Sequence, residues 1–506
     1  MKKRSLWLSA ALAMVVAVAL AGCGTTTYFA GRTLPPSGLR NRVLIAVQNP
    51  SPSTSGAMVF VDAFYDTRYA YNNVNQTYSI PGFGGSMPVS IQNMPEQEIG
   101  VVYSSGNSTL DVINYATEST GGAQGGLNGL AYSTIFMTRN ESYILGTSLI
   151  SGALTVVDST TGGGTFELAL PGAYRVSVNP GGSAALVFVQ NSNYAYYPRK
   201  LSTAQAITYS GGPSTWPKAA VDCEPRSAPG WCLFQMQSPD SIDPTGNYYG
   251  APLVFDRPVK AVFSSDGGTA YILNCGPECG GTASSVSLVP VAPLIYLTGQ
   301  GSGQLPTNAA LGAACLPAGQ ANACTIPTPG GASNAYLAGS EMYVVGQRLM
   351  SDGYWGGNLT AIDLSGNATV PSTSAAPNPV SISDGTPGGP SRMIAADDNT
   401  LWIGMTKCNA GERFNNPAVY PGGYGCLTMY NTSTNTVTLV EPYIGDLTGI
   451  AAVTSLHKVY VAEGGQVYIY STTDGTSISN KYVAVTATAW DVAYMDGTND
   501  DNNTVY

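Results

Sequence analysis

Short apolar runs separated by turn residues recur along this chain from residue 43 to residue 494. The clearest example is residues 259–274, VKAVFSSDGGTAYILN. It reads as a strand, a tight turn at Asp266-Gly267-Gly268, and a second strand rich in β-branched and aromatic residues. An Asp-Gly between two such runs is a strong hairpin signal. No long stretch beyond the N-terminus carries a helical period.

Degenerate copies of this hairpin can be counted. Second strands are predicted at residues 43–48, 99–104, 143–146, 185–190, 270–274, 342–346, 401–405 and 459–462. First strands precede them at 89–92, 134–137, 175–178, 259–263, 335–337, 393–396 and 449–453, and a last one stands alone at 490–494. Third strands with alternating polarity follow, as at 110–113, 154–158, 359–363 and 466–470, and weaker fourth strands at 165–170 and 481–485. A four-stranded antiparallel unit is too small to bury its own face, and stacking such units radially gives a β-propeller. Residues 43–48 lack a first strand and 490–494 lack partners, so the two ends should complete one blade and close the ring. The count gives an all-β propeller of eight blades, with seven as the alternative.

Phe263-Ser264-Ser265-Asp266-Gly267 followed by Ala270-Tyr271-Ile272-Leu273-Asn274 resembles the YVTN-type propeller repeat. So does Ser177-Val178-Asn179-Pro180-Gly181 before Leu186-Val187-Phe188-Val189-Gln190, together with the strand ending Val156-Val157-Asp158. The resemblance implies the fold and leaves the activity open, because propellers host enzymes, binders and scaffolds alike.

The N-terminus reads as an address. Lys2-Lys3-Arg4, an apolar run over residues 6–20 and small residues before Cys23 describe a secretory signal. Leu20-Ala21-Gly22-Cys23 resembles the bacterial lipobox, which implies a signal peptide over 1–22, lipid on Cys23 and, through Gly24, delivery to an outer membrane. Residues 23–41 then read as a tether and 42–506 as the single propeller domain. The chain should therefore be exported and held at the cell envelope, periplasmic or surface-facing, through its N-terminal lipid. A formal net charge of −10 argues against a nucleic-acid partner.

The eight other cysteines fall into near neighbours: Cys223/Cys232, Cys275/Cys279, Cys315/Cys324 and Cys408/Cys426. In an exported chain this suggests disulfides. First-to-second and third-to-fourth turns share one face of a propeller; second-to-third loops and blade links share the other. Cys275/Cys279 and Cys408/Cys426 map to second-to-third loops, and the other two pairs to presumed blade links, so all four pairs are expected on one face. Trp216, Trp231, Tyr354, Trp355, Tyr420 and Tyr424 are assigned to loops of that face, where aromatic rings suit a protein or glycan ligand. Trp402 and Trp490 lie in strands and are expected in the core.

The chain has one histidine, His457, placed at a turn, which removes most Ser-His-Asp and Cys-His arrangements. No catalytic residue and no metal ligand is assigned. Residues 496–503, DGTNDDNN, offer oxygen ligands for Ca²⁺ but depart from EF-hand spacing. The reading is a lipid-anchored binding or scaffold propeller, more a binder than an enzyme, that recognises a protein or glycan through a stapled face. The alternative is a lactonase- or hydrolase-like propeller whose channel holds a metal through carboxylates from at least three blades. A purely structural surface protein is the third possibility.

Overall fold

The computed structural model describes residues 32–498, apart from 52, 71–72, 128, 161–162, 217–218, 225–229, 238–251, 292–323, 352, 354, 365–378, 384–388, 409–423, 441–444 and 479–481. Its sheets form eight antiparallel blades around a central channel. Blade 1 joins the chain ends: Thr488–Tyr494 is innermost, followed by Arg42–Gln48 and Ala57–Asp62, with a bridge from Val59 to Ser79. The innermost strands of blades 2 to 8 are Pro88–Met94, Thr134–Met137, Ala173–Val178, Pro258–Phe263, Asn334–Ala338, Gly389–Ala396 and Leu447–Val453. Each coincides with a predicted first strand. Eight blades and the terminal closure stand as expected.

Eight apolar clusters fill the interfaces between neighbouring blades, and a ninth lies under the blade 4 insertion. Second strands are the most legible part of the sequence for this reason. In Thr269–Asn274, Ala270 and Ile272 pack toward blade 4 while Tyr271 and Leu273 pack toward blade 6. Burial on both faces replaces alternation with a continuous apolar run. The turn that starts this strand is built by its side chains: Asp266 Oδ1 accepts from Gly268 N at 2.9 Å, and Gly267 has φ 70°.

Closure is locked by buried charge. Arg42, 3% exposed, donates through Nη2 to Asp496 Oδ1 at 2.6 Å and through Nη1 to Glu118 Oε1 at 2.8 Å. Its backbone N–H also donates to Asp496 Oδ2 at 2.7 Å. Burial lowers the guanidinium's pKa, but Asp496 and Glu118 outweigh it and the net direction is upward. Asp496, read from the sequence as an oxygen donor for Ca²⁺, serves this network. Residues 32–41, which the sequence reading assigns to a tether, dock on the propeller: Arg32 pairs with Glu98 at 3.3 Å, Ser37 donates to Glu118, and Leu39 packs between blades 1 and 2.

Blade 4 departs from the expected order. It has five strands, Ala173–Val178, Ala185–Val189, Ala195–Lys200, Trp231–Gln235 and, outermost, Ala220–Glu224. The insertion that carries Cys223, with a helix α1 at Thr203–Tyr209, therefore joins third to fourth strand and is not a blade link. Cys324 likewise opens the fourth strand of blade 5, Cys324–Pro327, so residues 292–323 precede a fourth strand as well. The insertion that carries Cys223 and the start of the Cys324–Pro327 strand belong to the face of the short first-to-second turns, termed the turn face. The opposite, loop face carries the second-to-third loops. The expectation that all four cysteine pairs share one face is thus corrected. Outer strands have one exposed side and little hydrophobic contrast, so an insertion before a fourth strand looks like a link after a third.

Candidate functional site

The innermost strands share one irregularity. In six of the eight, a bulge falls at the same place, at Val89, Tyr174, Val259, Ser391, Thr448 and Trp490. A bulge releases its residue from the ladder and re-aims the next side chain. The residues that follow are Ser90, Arg175, Lys260, Arg392, Gly449 and Asp491, and Thr134 and Asn334 open the other two strands at the same level. Together they form a polar ring across the loop-face end of the channel.

Ring side chains reach neighbouring blades. Thr134 Oγ1 donates to Tyr174 O at 3.0 Å and Arg392 Nε to Thr448 O at 2.8 Å, each acceptor being a carbonyl of a bulged residue. Lys260 Nζ donates to Asn334 Oδ1 at 2.9 Å, and Arg175 Nη1 spans from blade 4 to Ser333 O in blade 6 at 3.4 Å. Asp491 accepts from Ile91 N at 2.8 Å and from Val492 N at 2.9 Å. A Cβ at Gly449 would lie 2.4 Å from Asp491 Oδ1, so that ring position admits only glycine.

Burial lowers the pKa of both Arg175 and Lys260, and for Lys260 the neighbouring Arg175 and Arg392 push further down. The Cys275–Cys279 disulfide closes the 3₁₀ turn Gly276–Cys279 at the loop-face mouth of the channel. That turn carries Glu278, whose Oε2 accepts from Gln347 N of blade 6 at 2.9 Å. Burial raises Glu278 to about 7, against the opposing pull of that hydrogen bond and of Arg175. From Lys260 toward the turn face runs a cavity of about 330 Å³, walled by Ile91, Phe136, Val176, Val262, Ile450 and Val492, with Arg139 and Asn179 at its far end. The enzyme alternative expected carboxylates from at least three blades here; among the described residues this end of the channel brings together Arg175, Lys260 and Arg392 with two carboxylates, Asp491 of blade 1 and Glu278 of blade 5.

Blades 6 and 7 extend beyond the disc on the loop face. Glu341–Leu349 pairs with Trp355–Asp363 up to Leu349 opposite Trp355, and Thr400–Cys408 pairs with Tyr424–Asn431 up to Cys408 opposite Tyr424. Leu349 is 56% exposed and Trp355 partly so. Of the sequence-assigned aromatics, Trp355 stands on the loop face and the backbone of Tyr424 ends the blade 7 ladder there, whereas Tyr354, Tyr420 and the side chain of Tyr424 lie outside the described residues. Trp216 and Trp231 belong to the turn face. Trp216 packs beneath α1 and donates from Nε1 to Tyr209 O at 3.1 Å. Trp231 is fully buried against Tyr143 and Phe166, so its ring is core and not displayed. Trp402 is buried as expected and Trp490 is half-buried at its bulge.

Cys223 is bonded to Cys232, directly opposite it in the ladder. Cys426 is also disulfide-bonded; the side chain of Cys408 and the whole of Cys315 lie outside the described residues. Cys23 and residues 1–31 lie outside them too. His457 meets Asp397 and Asp398 on the turn face, its Nδ1 3.1 Å from Asp398 Oδ2. The ring cations were missed because a bulge has no sequence signature; their one signal was a basic residue early in a first strand.

No protein-family model matches the chain, and no curated protein matches it. Solved structures of similar architecture include dihydro-heme d1 dehydrogenase NirN in complex with DHE (10% identity over 92% of this chain and 76% of that one, TM-score 0.47). Others are apo AztD from Citrobacter koseri (10%, 90% and 97%, TM-score 0.43) and a 6-phosphogluconolactonase assignment from Bacteroides fragilis (10%, 90% and 97%, TM-score 0.40). Each lies below a TM-score of 0.5, and the propeller assignment rests on the sheet order itself.

Proposed function

We propose that this chain is an exported, lipid-anchored β-propeller that presents its loop face to a protein partner at the cell envelope. The observation that carries the reading is where the N-terminal segment docks. Arg32 accompanies Glu98 and Pro95 at the first-to-second turn of blade 2, and Asn41 enters blade 1 from the same side. The chain therefore leaves toward Cys23 from the turn face. The nine residues from Cys23 to Arg32 reach about 30 Å when fully extended. Lipid on Cys23 holds the turn face near the membrane and points the loop face away from it.

On that distal face, the projecting ladder of blade 6 offers Leu349, Trp355 and Arg348. Exposed Trp, Leu and Arg on rigid strands suit a protein contact; a glycan is the second ligand class the aromatics would serve. Palmitate labelling lost in Cys23→Ser tests the anchor. Pull-down from detergent-solubilised envelope, followed by direct binding of the recovered protein, tests the face. The double variant Leu349→Ser/Trp355→Ala should lose that protein, and retention of every partner would defeat the reading. Recovery of glycan alone would transfer it to a carbohydrate.

A further inference from the structure

We propose that two adjacent rings on the turn face, Phe64 and Tyr65, insert into the headgroup layer of the membrane that carries the anchor. The proposal rests on the lipid at Cys23 argued above and adds what the propeller itself touches. Phe64 is 60% exposed and Tyr65 53% exposed, with ring centroids 4.9 Å apart in an edge-to-face pair. They stand in the turn that leaves the third strand of blade 1, Ala57–Asp62. Tyr69, also exposed, follows in the short hairpin of Tyr69–Ala70 with Asn73–Thr77. Leu34, exposed too, lies on the docked N-terminal segment between the contacts of Arg32 and Ser37. All four side chains are on the face from which the chain leaves toward Cys23.

The turn is tied down, so the rings are held outward. Ala63 N donates to Asn41 O at 2.8 Å and Phe64 N to Asp62 Oδ1 at 2.9 Å. Lys458 Nζ reaches from blade 8 to both oxygens of Asp66 at 2.8 Å. That contact matches the carboxylate beside the rings with a cation, and Asp62, the other carboxylate of the turn, is buried. The Arg68 guanidinium lies 5.6 Å from the Tyr69 ring centroid, so the rings meet anionic headgroups beside a positive group. Aromatic rings with a polar edge settle at the headgroup level of a bilayer. Four partly exposed side chains fall short of the roughly 800 Å² per partner of a stable protein interface. A bilayer demands no matching surface: ring-sized insertions suffice, and a tether of about 30 Å keeps it at high effective concentration.

The test is photocrosslinking in the full chain, lipidated in the cell and reconstituted in vesicles of phosphatidylethanolamine and phosphatidylglycerol. With p-benzoylphenylalanine in place of Phe64, irradiation should give lipid adducts, read by mass spectrometry. They should exceed at least tenfold those from the same group in place of Leu349 on the opposite face. The same group in place of Tyr69 should give lipid adducts that Phe64→Asp/Tyr65→Asp reduces at least fivefold. Both altered residues are exposed, so the double variant should keep the melting temperature of the unaltered chain. Equal lipid adducts from positions 64 and 349 would overturn the proposal. So would adducts to protein alone, whether a second copy or another envelope protein, or Tyr69 adducts that the double variant leaves unchanged. Palmitate labelling of the same preparation tells the two readings apart. Label present without lipid adducts at position 64 defeats this inference alone; label absent defeats the anchor and this inference with it.

Discussion

Asp496→Asn should cost this protein about 3 kcal/mol, although residue 496 lies near the end of the chain. Asp496 is 2% exposed, accepts from Arg42 at Nη2, Nε and the backbone N–H, and joins the last strand to the first of the same blade. Removing one partner of a buried ion pair typically costs about 3–5 kcal/mol, because the other charge stays buried without compensation. Asn retains the shape and one acceptor, and Glu118 still receives Nη1, which places the effect at the low end; Asp496→Ala should approach the high end. The assay is guanidinium unfolding followed by tryptophan fluorescence, comparing midpoints at equal slope. The double change Arg42→Met/Asp496→Leu should be milder than the sum of the single changes by at least about 2 kcal/mol, since well-packed apolar groups can replace a buried pair. A cost below about 1 kcal/mol for Asp496→Asn, or simple additivity in the double change, would refute the closure argument.

Glu278→Gln should remove a pH dependence. A carboxyl raised from 4.5 to about 7 contributes stability that is fully present below pH 4.5 and lost as pH rises through 7. The variant should therefore gain on the unaltered chain by about 3 kcal/mol between pH 4.5 and 8, read as the difference between two melting series; parallel series would refute it. Gly146→Ala should destabilise by about 1–3 kcal/mol, because a Cβ there would lie 2.4 Å from the Tyr132 ring. Trp231→Ala should cost about 3–5 kcal/mol while Trp355→Ala leaves the melting temperature within error, separating core ring from displayed ring.

The order of apolar runs was enough for the propeller, its eight blades and the joining of its ends. Each second strand is buried on both sides, so its composition alone betrays it, and residues 43–48 and 490–494 each lack what the other supplies. Trp402, in such a strand, was legible as core. The faces were not legible. Whether an insertion precedes a fourth strand or links two blades depends on the pairing of Trp231–Gln235 with Ala195–Lys200 and of Cys324–Pro327 with Ser285–Pro290, which local sequence does not encode. Trp231 looked like a loop aromatic for that reason.

The channel depended on tertiary structure most of all. Arg175, Lys260 and Arg392 are 217 residues apart from first to last, and each is one basic residue early in an apolar strand. Hydrophobic pattern acts over a few residues and so determines strands, their number and their closure. The ring arises only when six of the eight innermost strands bulge at one level, because the bulge turns the next side chain toward a lumen that exists only once the blades have closed.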